Sequence, residues 1–141
     1  LVDMGSLLES LCDDMRELGF DIDFEEADGI SCRCRPDGIR RAVRNLVENA
    51  CQYAGKASVS CERTPSAVVI TVADTGPGIP DADLEQVFLP FFRLEQSRNR
   101  DTGGTGLGLS IARAVARQHG GDIRLEPNKP GLRAVLTVPC Q

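Results

Sequence analysis

Three glycine residues precede a predicted helix and could form a phosphate-binding loop. Gly104, Gly106 and Gly108 end a polar segment, and an amphipathic helix is predicted over residues 107–119. Because glycine has no Cβ atom, its backbone lets a bulky anion approach the N–H groups closely. The N-terminus of the helix adds unpaired amides and the positive end of the helix dipole. A flexible loop that merely precedes a helix is the alternative interpretation of this pattern alone.

A second loop places a carboxylate between a strand and two glycines. Asp74 follows an apolar segment, residues 67–73, which predicts a strand in the middle of a sheet. Gly76 and Gly78 come next, and glycines leave room beside the carboxylate for a flat ring. A carboxylate fixed there can accept a hydrogen bond from an exocyclic amine such as that of adenine. The alternative is that Asp74 only begins a turn.

Asn45, Asn49 and Gln52 form a polar line on another predicted element. Their spacing of i, i+4 and i+7 places the three side chains on one face of a helix predicted over residues 36–54. Asparagine is a mediocre helix former, so two asparagines one turn apart suggest a role beyond solvation. A carboxamide oxygen is a suitable ligand for Mg²⁺ that bridges to phosphates. A solvated helix face is the alternative.

Hydrophobic periodicity predicts the elements that position these residues. Four segments have the pattern of helices, and they are residues 2–18, 36–54, 81–87 and 107–119. Six segments are predicted as strands, and they are residues 20–24, 30–34, 57–63, 67–73, 122–126 and 132–138. The first two of these strands are predicted to pair as a hairpin. Paired strands that alternate with helices indicate one mixed sheet covered on one face, an α/β sandwich of two layers.

Composition and charge bound the class of protein. The chain has 141 residues, of which 41% are hydrophobic and 26% are charged, as in ordinary soluble globular domains. Its formal net charge of −5 argues against a nucleic-acid partner, because proteins that bind nucleic acid carry a basic excess. No apolar run approaches the roughly 20 residues that a transmembrane helix needs. The chain starts at Leu1 within a helical pattern, so we expect it to be a piece of a longer protein.

The chain has six cysteines, and their spacing does not indicate a metal site. Cys12, Cys51 and Cys61 stand singly, whereas Cys32 and Cys34 would point to the same face of a strand. That pair lacks the second pair that a zinc site requires. We therefore predict that all six thiols are reduced.

Two familiar phosphate motifs do not fit the glycine loop. A P-loop ends in Gly-Lys followed by Ser or Thr, whereas a leucine separates Gly108 from Ser110 in this loop. A dinucleotide-binding fingerprint needs a preceding strand and a different glycine spacing.

Four motifs together resemble the catalytic ATP-binding domain of sensor histidine kinases, in the superfamily that also contains gyrase and heat-shock chaperone ATPases. Their order and spacing are similar to the N, G1, F and G2 boxes of that family, which here are residues 45–50, 74–78, 88–92 and 104–108. The resemblance implies the GHKL ATPase fold, a two-layer α/β (α+β) sandwich with a mixed, mostly antiparallel sheet and about three helices on one face. It also implies one catalytic domain over residues 1–141, with an ATP lid at about 94–105.

The resemblance assigns roles to individual residues. Asn49 would coordinate Mg²⁺, Asn45 would lie beside the phosphates, and Asp74 would bind the adenine amine. Tyr53 would flank the nucleotide, and Arg93 would reach the γ-phosphate and act with the two asparagines in catalysis. Further nucleotide contacts are implied for Gly76, Gly78, Ile79, Phe88, Arg98, Gly104, Thr105, Gly106, Leu107, Gly108 and Leu109.

Departures from the family pattern refine the expected chemistry. Hydrolysing relatives typically have a glutamate at the position of Asn45, and a neutral carboxamide cannot activate water, so the site suits phosphate transfer. Many kinases of the family have a cation where this chain has Gln52, so Arg93 and Arg98 would neutralise more of the phosphate charge. Phe88 is also expected to contribute to the core.

The family requires a phosphoacceptor histidine on a separate dimerisation domain. This chain has only His119, which begins a His-Gly-Gly segment at a helix end and is expected to be structural. The resemblance implies ATP and Mg²⁺ as cofactors, the protein's own dimerisation domain as partner, a response regulator downstream and no nucleic acid. It implies a full-length homodimer anchored in the bacterial inner membrane, of which this chain would be a monomeric, cytoplasmic part. A serine kinase acting on an anti-anti-sigma factor and a degenerate, non-catalytic binding module are the alternatives.

Overall fold

The computed structural model describes residues 1–25, 29–89 and 108–140. Three α-helices lie in these ranges, and they are α1 (Met4–Glu17), α2 (Pro36–Ala54) and α3 (Gly108–Gln118). Seven strands accompany them: β1 (Val2–Asp3), β2 (Ile22–Phe24), β3 (Ser31–Cys32), β4 (Ala57–Arg63), β5 (Ala67–Ala73), β6 (Asp122–Pro127) and β7 (Leu132–Pro139). Two short 3₁₀ helices, Asp81–Asp83 and Gln86–Phe88, stand where one short helix was predicted. None of the helices in the described part combines the length and apolar character needed to cross a membrane.

Five strands form one sheet in the order β2-β4-β5-β7-β6. β2 runs parallel to β4, and every other neighbouring pair is antiparallel. β5 is the central strand, as its apolar sequence predicts. The expected mixed, mostly antiparallel sheet of an α/β sandwich is confirmed.

The helices cover one face of this sheet and enclose the core. The apolar stripe predicted on α2 is buried, and it consists of Ile39, Val43, Leu46, Val47 and Ala50. α3 packs against α2, and the buried residues of α3 are Leu109, Ala112 and Ala116. Removing these apolar surfaces from water is the main driving force for folding.

Local signals explain where α2 begins and ends and where α3 ends. Pro36 is at the start of α2, where its missing N–H and fixed φ are favourable. Gly55 follows α2 with a φ of 78°, and its N–H closes the last turn at 2.8 Å. After α3, the N–H of Gly121 donates to the carbonyl of Ala116 at 2.9 Å.

The predicted hairpin between residues 20–24 and 30–34 is wrong. β3 pairs antiparallel with β1, whereas β2 runs beside β4. Consequently the first helix begins only at Met4, and Asp3 caps it by accepting a hydrogen bond from the N–H of Ser6 at 3.1 Å. Alternating polarity specifies which face of a strand is buried, but it does not specify the partner strand.

The prediction that all six cysteines are reduced is also wrong, because Cys32 and Cys140 form a disulfide. Their Cα atoms lie 5.7 Å apart, within the range that a disulfide spans, although they are separated by 108 positions in sequence. Both side chains are buried, where β3 meets the end of β7. Sequence spacing cannot reveal such a pair, because only the folded sheet brings the two ends together. The remaining described cysteines are free thiols, and they are Cys12, Cys34, Cys51 and Cys61.

Candidate functional site

Asp74 is a buried carboxylate at the end of β5, with only 6% of its surface exposed. Its Oδ1 atom accepts hydrogen bonds from the N–H of Gly76 at 3.0 Å and from the N–H of Leu132 at 3.2 Å. Within the described residues, Oδ2 accepts no hydrogen bond. Asp74 thus begins a turn, and one of its oxygens is also available to a ligand.

Burial raises the pKa of Asp74 above its ordinary value, and the two backbone hydrogen bonds lower it in part. A desolvated carboxylate gains more from a new donor than an exposed one, because the donor replaces lost hydration. The electrostatics of Asp74 therefore favour a ligand that offers an N–H group.

The turn between β6 and β7 holds Asp74 in place. The N–H of Asp74 donates to the carbonyl of Leu132 at 2.9 Å, and Asn128 Nδ2 donates to the carbonyl of Asp74 at 2.8 Å. Gly131 has a φ of +106°, and a Cβ atom built there would lie 1.9 Å from the Asp74 carbonyl oxygen. Sequence reasoning missed Asn128 and Gly131, because it predicted no pairing between β5 and β7. That pairing places Leu132 and the turn beside Asp74.

The loop that follows Asp74 packs against the same turn. Gly78 has a φ of +76°, and a Cβ atom there would lie 3.0 Å from the carbonyl oxygen of Gly131. Ile79 packs against the hydrophobic core and anchors the far end of the loop. Gly78 is therefore needed for turn geometry and close packing, while Gly76 contributes its backbone N–H to Asp74. Contacts of both glycines with a nucleotide stay predictions.

Asn45 on α2 lies beside the first residue of α3. A Cβ atom built on Gly108 would be 3.9 Å from the Asn45 Cβ atom. The Nδ2 group of Asn45 is buried and has no hydrogen-bond partner among the described residues. An unpaired buried donor costs about 1–3 kcal/mol, so this amide is suited to an acceptor. A phosphate oxygen at the N-terminus of α3 would supply one.

The C-terminal half of α2 lies close to Asp74. Burial raises the pKa of the Cys51 thiol, and the charges of Asp21 and Asp74 raise it further. Asn49 is half-buried, one turn after Asn45. Tyr53 also belongs to this part of α2, but its side chain is outside what the structure describes. α2 also packs against β5, the strand that ends before Asp74.

Phe88 is buried beneath α3, which agrees with its expected place in the core. The Cζ atom of Arg113 lies 4.3 Å from the centroid of the Phe88 ring. Leu109, next to Gly108, is also buried in the core. Nucleotide contacts of Phe88 and Leu109 stay predictions. The other predicted contacts lie outside the described residues, and they are Arg93, Arg98, Gly104, Thr105, Gly106, Leu107 and the lid at 94–105.

His119 connects the end of α3 to the start of α2. Its Nε2 atom accepts a hydrogen bond from the N–H of Arg35 at 3.0 Å, and its Nδ1 atom lies 2.9 Å from the carbonyl of Val115. Nδ1 must carry the proton to donate that bond, because Nε2 acts as an acceptor. Both ring nitrogens are occupied by backbone groups. This geometry supports the structural role predicted for His119.

Comparison with known proteins agrees with the fold and the site. Residues 34–141 match the family model of the histidine kinase-, DNA gyrase B- and HSP90-like ATPases. The chain is 43% identical over 106 residues to the sensor histidine kinase GtrS of Pseudomonas aeruginosa, covering 74% of this chain and 22% of GtrS. It is 40% identical over 106 residues to the sensor histidine kinase CpxA of Escherichia coli K12, covering 74% of this chain and 23% of CpxA. The chain thus spans less than a quarter of the length of these relatives.

Solved structures extend the likeness over nearly the whole chain. The mycobacterial sensor histidine kinase MprB superposes with a TM-score of 0.81 at 29% identity, covering 99% of this chain and 97% of the other. The ATP-binding domain of PrrB from Mycobacterium tuberculosis gives a TM-score of 0.78 at 27% identity, covering 99% and 96%. The chain therefore belongs to the family of histidine kinase-, DNA gyrase B- and HSP90-like ATPases, as an ATP-binding catalytic domain of the sensor histidine kinase type.

Proposed function

We propose that this domain binds Mg²⁺-ATP and transfers its γ-phosphate to a histidine on a dimerisation domain of the same protein. The unpaired, buried amide of Asn45 beside the N-terminus of α3 carries this proposal, because it needs an acceptor where a phosphate group would lie. The available Oδ2 of Asp74 supports it from the opposite end of the ligand, where adenine would offer its amine.

The described residues fit Mg²⁺ as an ion held mainly by the nucleotide. No cluster of three or more His, Cys, Asp or Glu side chains that could hold a metal occurs in the described part of the chain. The Asn49 carboxamide would supply an oxygen ligand, since Mg²⁺ is typically bound by few protein groups and substrate phosphates. When bound, the ion would neutralise phosphate charge.

Asn45 also favours transfer over hydrolysis. A carboxamide cannot take a proton from water, so Asn45 can orient a phosphate oxygen but cannot act as a general base. We therefore propose that ATP is held for an acceptor, with slow hydrolysis in its absence. Arg93 and Arg98 would add positive charge at the γ-phosphate, and residues 94–105 would form the lid of this domain.

The partners and location of the whole protein belong to the same proposal. The dimerisation domain would supply the phosphoacceptor histidine and make the full-length protein a homodimer. A response regulator would then receive the phosphate. The relatives are sensor histidine kinases by name, and we propose that this chain is a cytoplasmic domain of a membrane-anchored receptor of that kind.

Base selectivity tests the assignment of Asp74. We expect the chain to bind ATP about tenfold or more tightly than GTP, because a carboxylate facing the guanine carbonyl loses a hydrogen bond worth about 1–3 kcal/mol. In Asp74→Asn, the Oδ1 atom can still accept from Gly76 and Leu132, while an NH₂ group replaces the Oδ2 atom. This variant should therefore bind ATP more weakly and prefer GTP. Calorimetric titration measures both affinities, and equal affinities for wild-type protein would contradict the assignment.

Phosphate transfer tests the function itself. The chain should not label itself with γ-labelled ATP, because both ring nitrogens of His119 contact backbone groups and the residue lies roughly 16 Å from Gly108 along α3. Adding the dimerisation domain of the same protein should give acid-labile phosphohistidine on that domain. Asn49→Ala should abolish transfer, whereas His119→Ala should leave it intact once folding is verified. Label on the chain alone that disappears in His119→Ala would overturn the proposal, and binding of ATP without transfer would favour a non-catalytic module.

A further inference from the structure

Arg113 of α3 is a mostly buried cation that links several elements, with 17% of its side chain exposed. Its Nε atom donates to Oδ1 of Asp122 at 2.9 Å, and its Nη2 atom donates to Oδ2 of the same residue at 3.2 Å. Asp122 is the first residue of β6. This two-point contact fixes the plane of the guanidinium relative to the edge strand of the sheet.

The guanidinium of Arg113 also contacts residues 85–88, which include the second 3₁₀ helix. Nη1 of Arg113 donates to Oε2 of Glu85 at 3.0 Å, and the guanidinium stacks on the buried ring of Phe88. A cation over an aromatic face is attracted by the ring quadrupole, and the attraction is stronger when the pair is desolvated. Arg113 therefore joins α3, β6 and the 3₁₀ helix Gln86–Phe88 in one cluster.

The contacts within this cluster differ in strength. Hydrogen bonds from Arg113 are the largest cause of the lowered pKa of Asp122, which is about 2. Glu85 is 77% exposed, and such exposed ion pairs contribute little. We expect Asp122 and Phe88 to hold the guanidinium, and Glu85 to add little.

The position of α3 matters because its first residue adjoins the proposed phosphate site. Gly108 lies beside the unpaired amide of Asn45. On the face toward the core, α3 buries Leu109 and the small side chains of Ala112 and Ala116, and a contact outside this face would further fix the rotation of the helix. A planar, forked guanidinium with partners on both sides can fix that rotation.

We propose that Arg113 is a positioning residue for phosphate binding: it fixes the orientation of α3 so that the N–H groups at Gly108 face the same point as the Asn45 amide. This inference rests on the proposed function and deepens it. Arg113 does not touch the nucleotide in this scheme. It acts through the helix, so its loss should affect the phosphates of the ligand and leave the base unaffected.

Comparing the affinities for ATP and for adenosine separates an effect on phosphate binding from an effect on base binding. ATP affinity is measured by calorimetry and adenosine affinity by NMR titration, after thermal unfolding has verified that each variant is folded. We expect Arg113→Met to weaken ATP binding by about tenfold, equivalent to about 1.4 kcal/mol, while adenosine affinity stays within about twofold. Arg113→Lys should recover part of the loss, because it keeps the charge but not the fork.

Arg117→Met is the matched control, because Arg117 lies one turn later on α3, is 59% exposed and contacts Asp122 only at 3.4 Å. It should bind ATP like the wild type. Asp122→Asn should weaken ATP binding in the same direction as Arg113→Met. If Arg113→Met does not fold, Arg113→Lys and Asp122→Asn decide the outcome by the same criteria.

Two results would overturn the inference alone. One is an unchanged ATP affinity in the folded Arg113 variants, and the other is an equal loss for ATP and adenosine, which indicates a merely structural role. A wild-type chain that binds no ATP would overturn the proposed function and this inference with it. The wild-type titration therefore distinguishes the two failures.

Discussion

Replacing Cys140 by serine is expected to lower the free energy of unfolding by about 4 kcal/mol in the oxidised protein. The disulfide with Cys32 closes a loop between residues 108 positions apart, and the chain-entropy model predicts about 4–5 kcal/mol for loops of this length. The loss should appear in chemical denaturation as a lower midpoint with a larger m-value, since the unfolded chain becomes less restricted.

Cys34→Ser is the matched control for this change. Cys34 lies two residues from Cys32 and is a free, half-buried thiol, so its replacement should change stability by no more than about 1 kcal/mol. A reductant should lower the stability of the wild type to that of Cys140→Ser and leave the variant unchanged. Equal stability of wild type and Cys140→Ser under oxidising conditions would contradict a stabilising disulfide.

This disulfide illustrates what the sequence could not predict. Local signals determine α2 well, because Pro36 and Gly55 mark its ends and its apolar stripe has a helical period. The partners of short strands have no local signal, so the pairing of β3 with β1 was missed. The approach of Cys32 to Cys140 depends on that pairing and on the end of β7, and it was missed for the same reason.

The candidate site also contains residues that local sequence signals predict and residues that only strand pairing brings into place. Asp74 was predicted from its place between an apolar strand and two glycines, and Asn45 was predicted because asparagine is unusual in a helix interior. Asn128 and Gly131 occupy an ordinary turn sequence, and only the antiparallel pairing of β5 with β7 brings that turn against Asp74. Arg113 was also missed, because arginine on an amphipathic helix is typical of a solvated face.

The roles assigned to the glycine loop at 104–108 came from resemblance to a family and from the chemistry of glycine. The described residues add its downstream boundary, since Gly108 begins α3 beside Asn45. The physical requirement for an acceptor at the Asn45 amide is independent of the resemblance, because it follows from burial alone. Two separate arguments thus support the proposed phosphate position.

Gly131→Ala is expected to reduce ATP affinity by more than tenfold and to destabilise the fold. The new Cβ atom would stand 1.9 Å from the carbonyl oxygen of Asp74 and 2.6 Å from its carbonyl carbon, so the backbone at Asp74 must move. That movement would displace the carboxylate from the adenine amine and strain its bond with Leu132. The φ of +106° adds a conformational cost of about 1–3 kcal/mol for any residue with a side chain.

Gly19→Ala separates the conformational cost of a positive φ from the steric effect on Asp74. Gly19 has a nearly equal φ of +100°, and a Cβ atom there meets no other atom within 4 Å. Its replacement should therefore carry only the conformational cost and leave ATP affinity unchanged. Stability is measured by thermal unfolding and affinity by calorimetry for both variants. ATP affinity equal to the wild type in folded Gly131→Ala would show that the turn does not position Asp74.

Asn128→Ala provides a milder change at the same contact, in case Gly131→Ala does not fold. It removes the hydrogen bond from Asn128 Nδ2 to the carbonyl of Asp74 without adding any atom. The loss of a hydrogen bond to a partly buried carbonyl is about 1 kcal/mol, so stability should fall by that amount. Asp74 would still accept from Gly76 and Leu132, so ATP affinity should fall only a few-fold. A graded loss from Asn128→Ala to Gly131→Ala, absent in Gly19→Ala, is the result expected if the β6–β7 turn sets the position of the carboxylate that we propose to bind adenine.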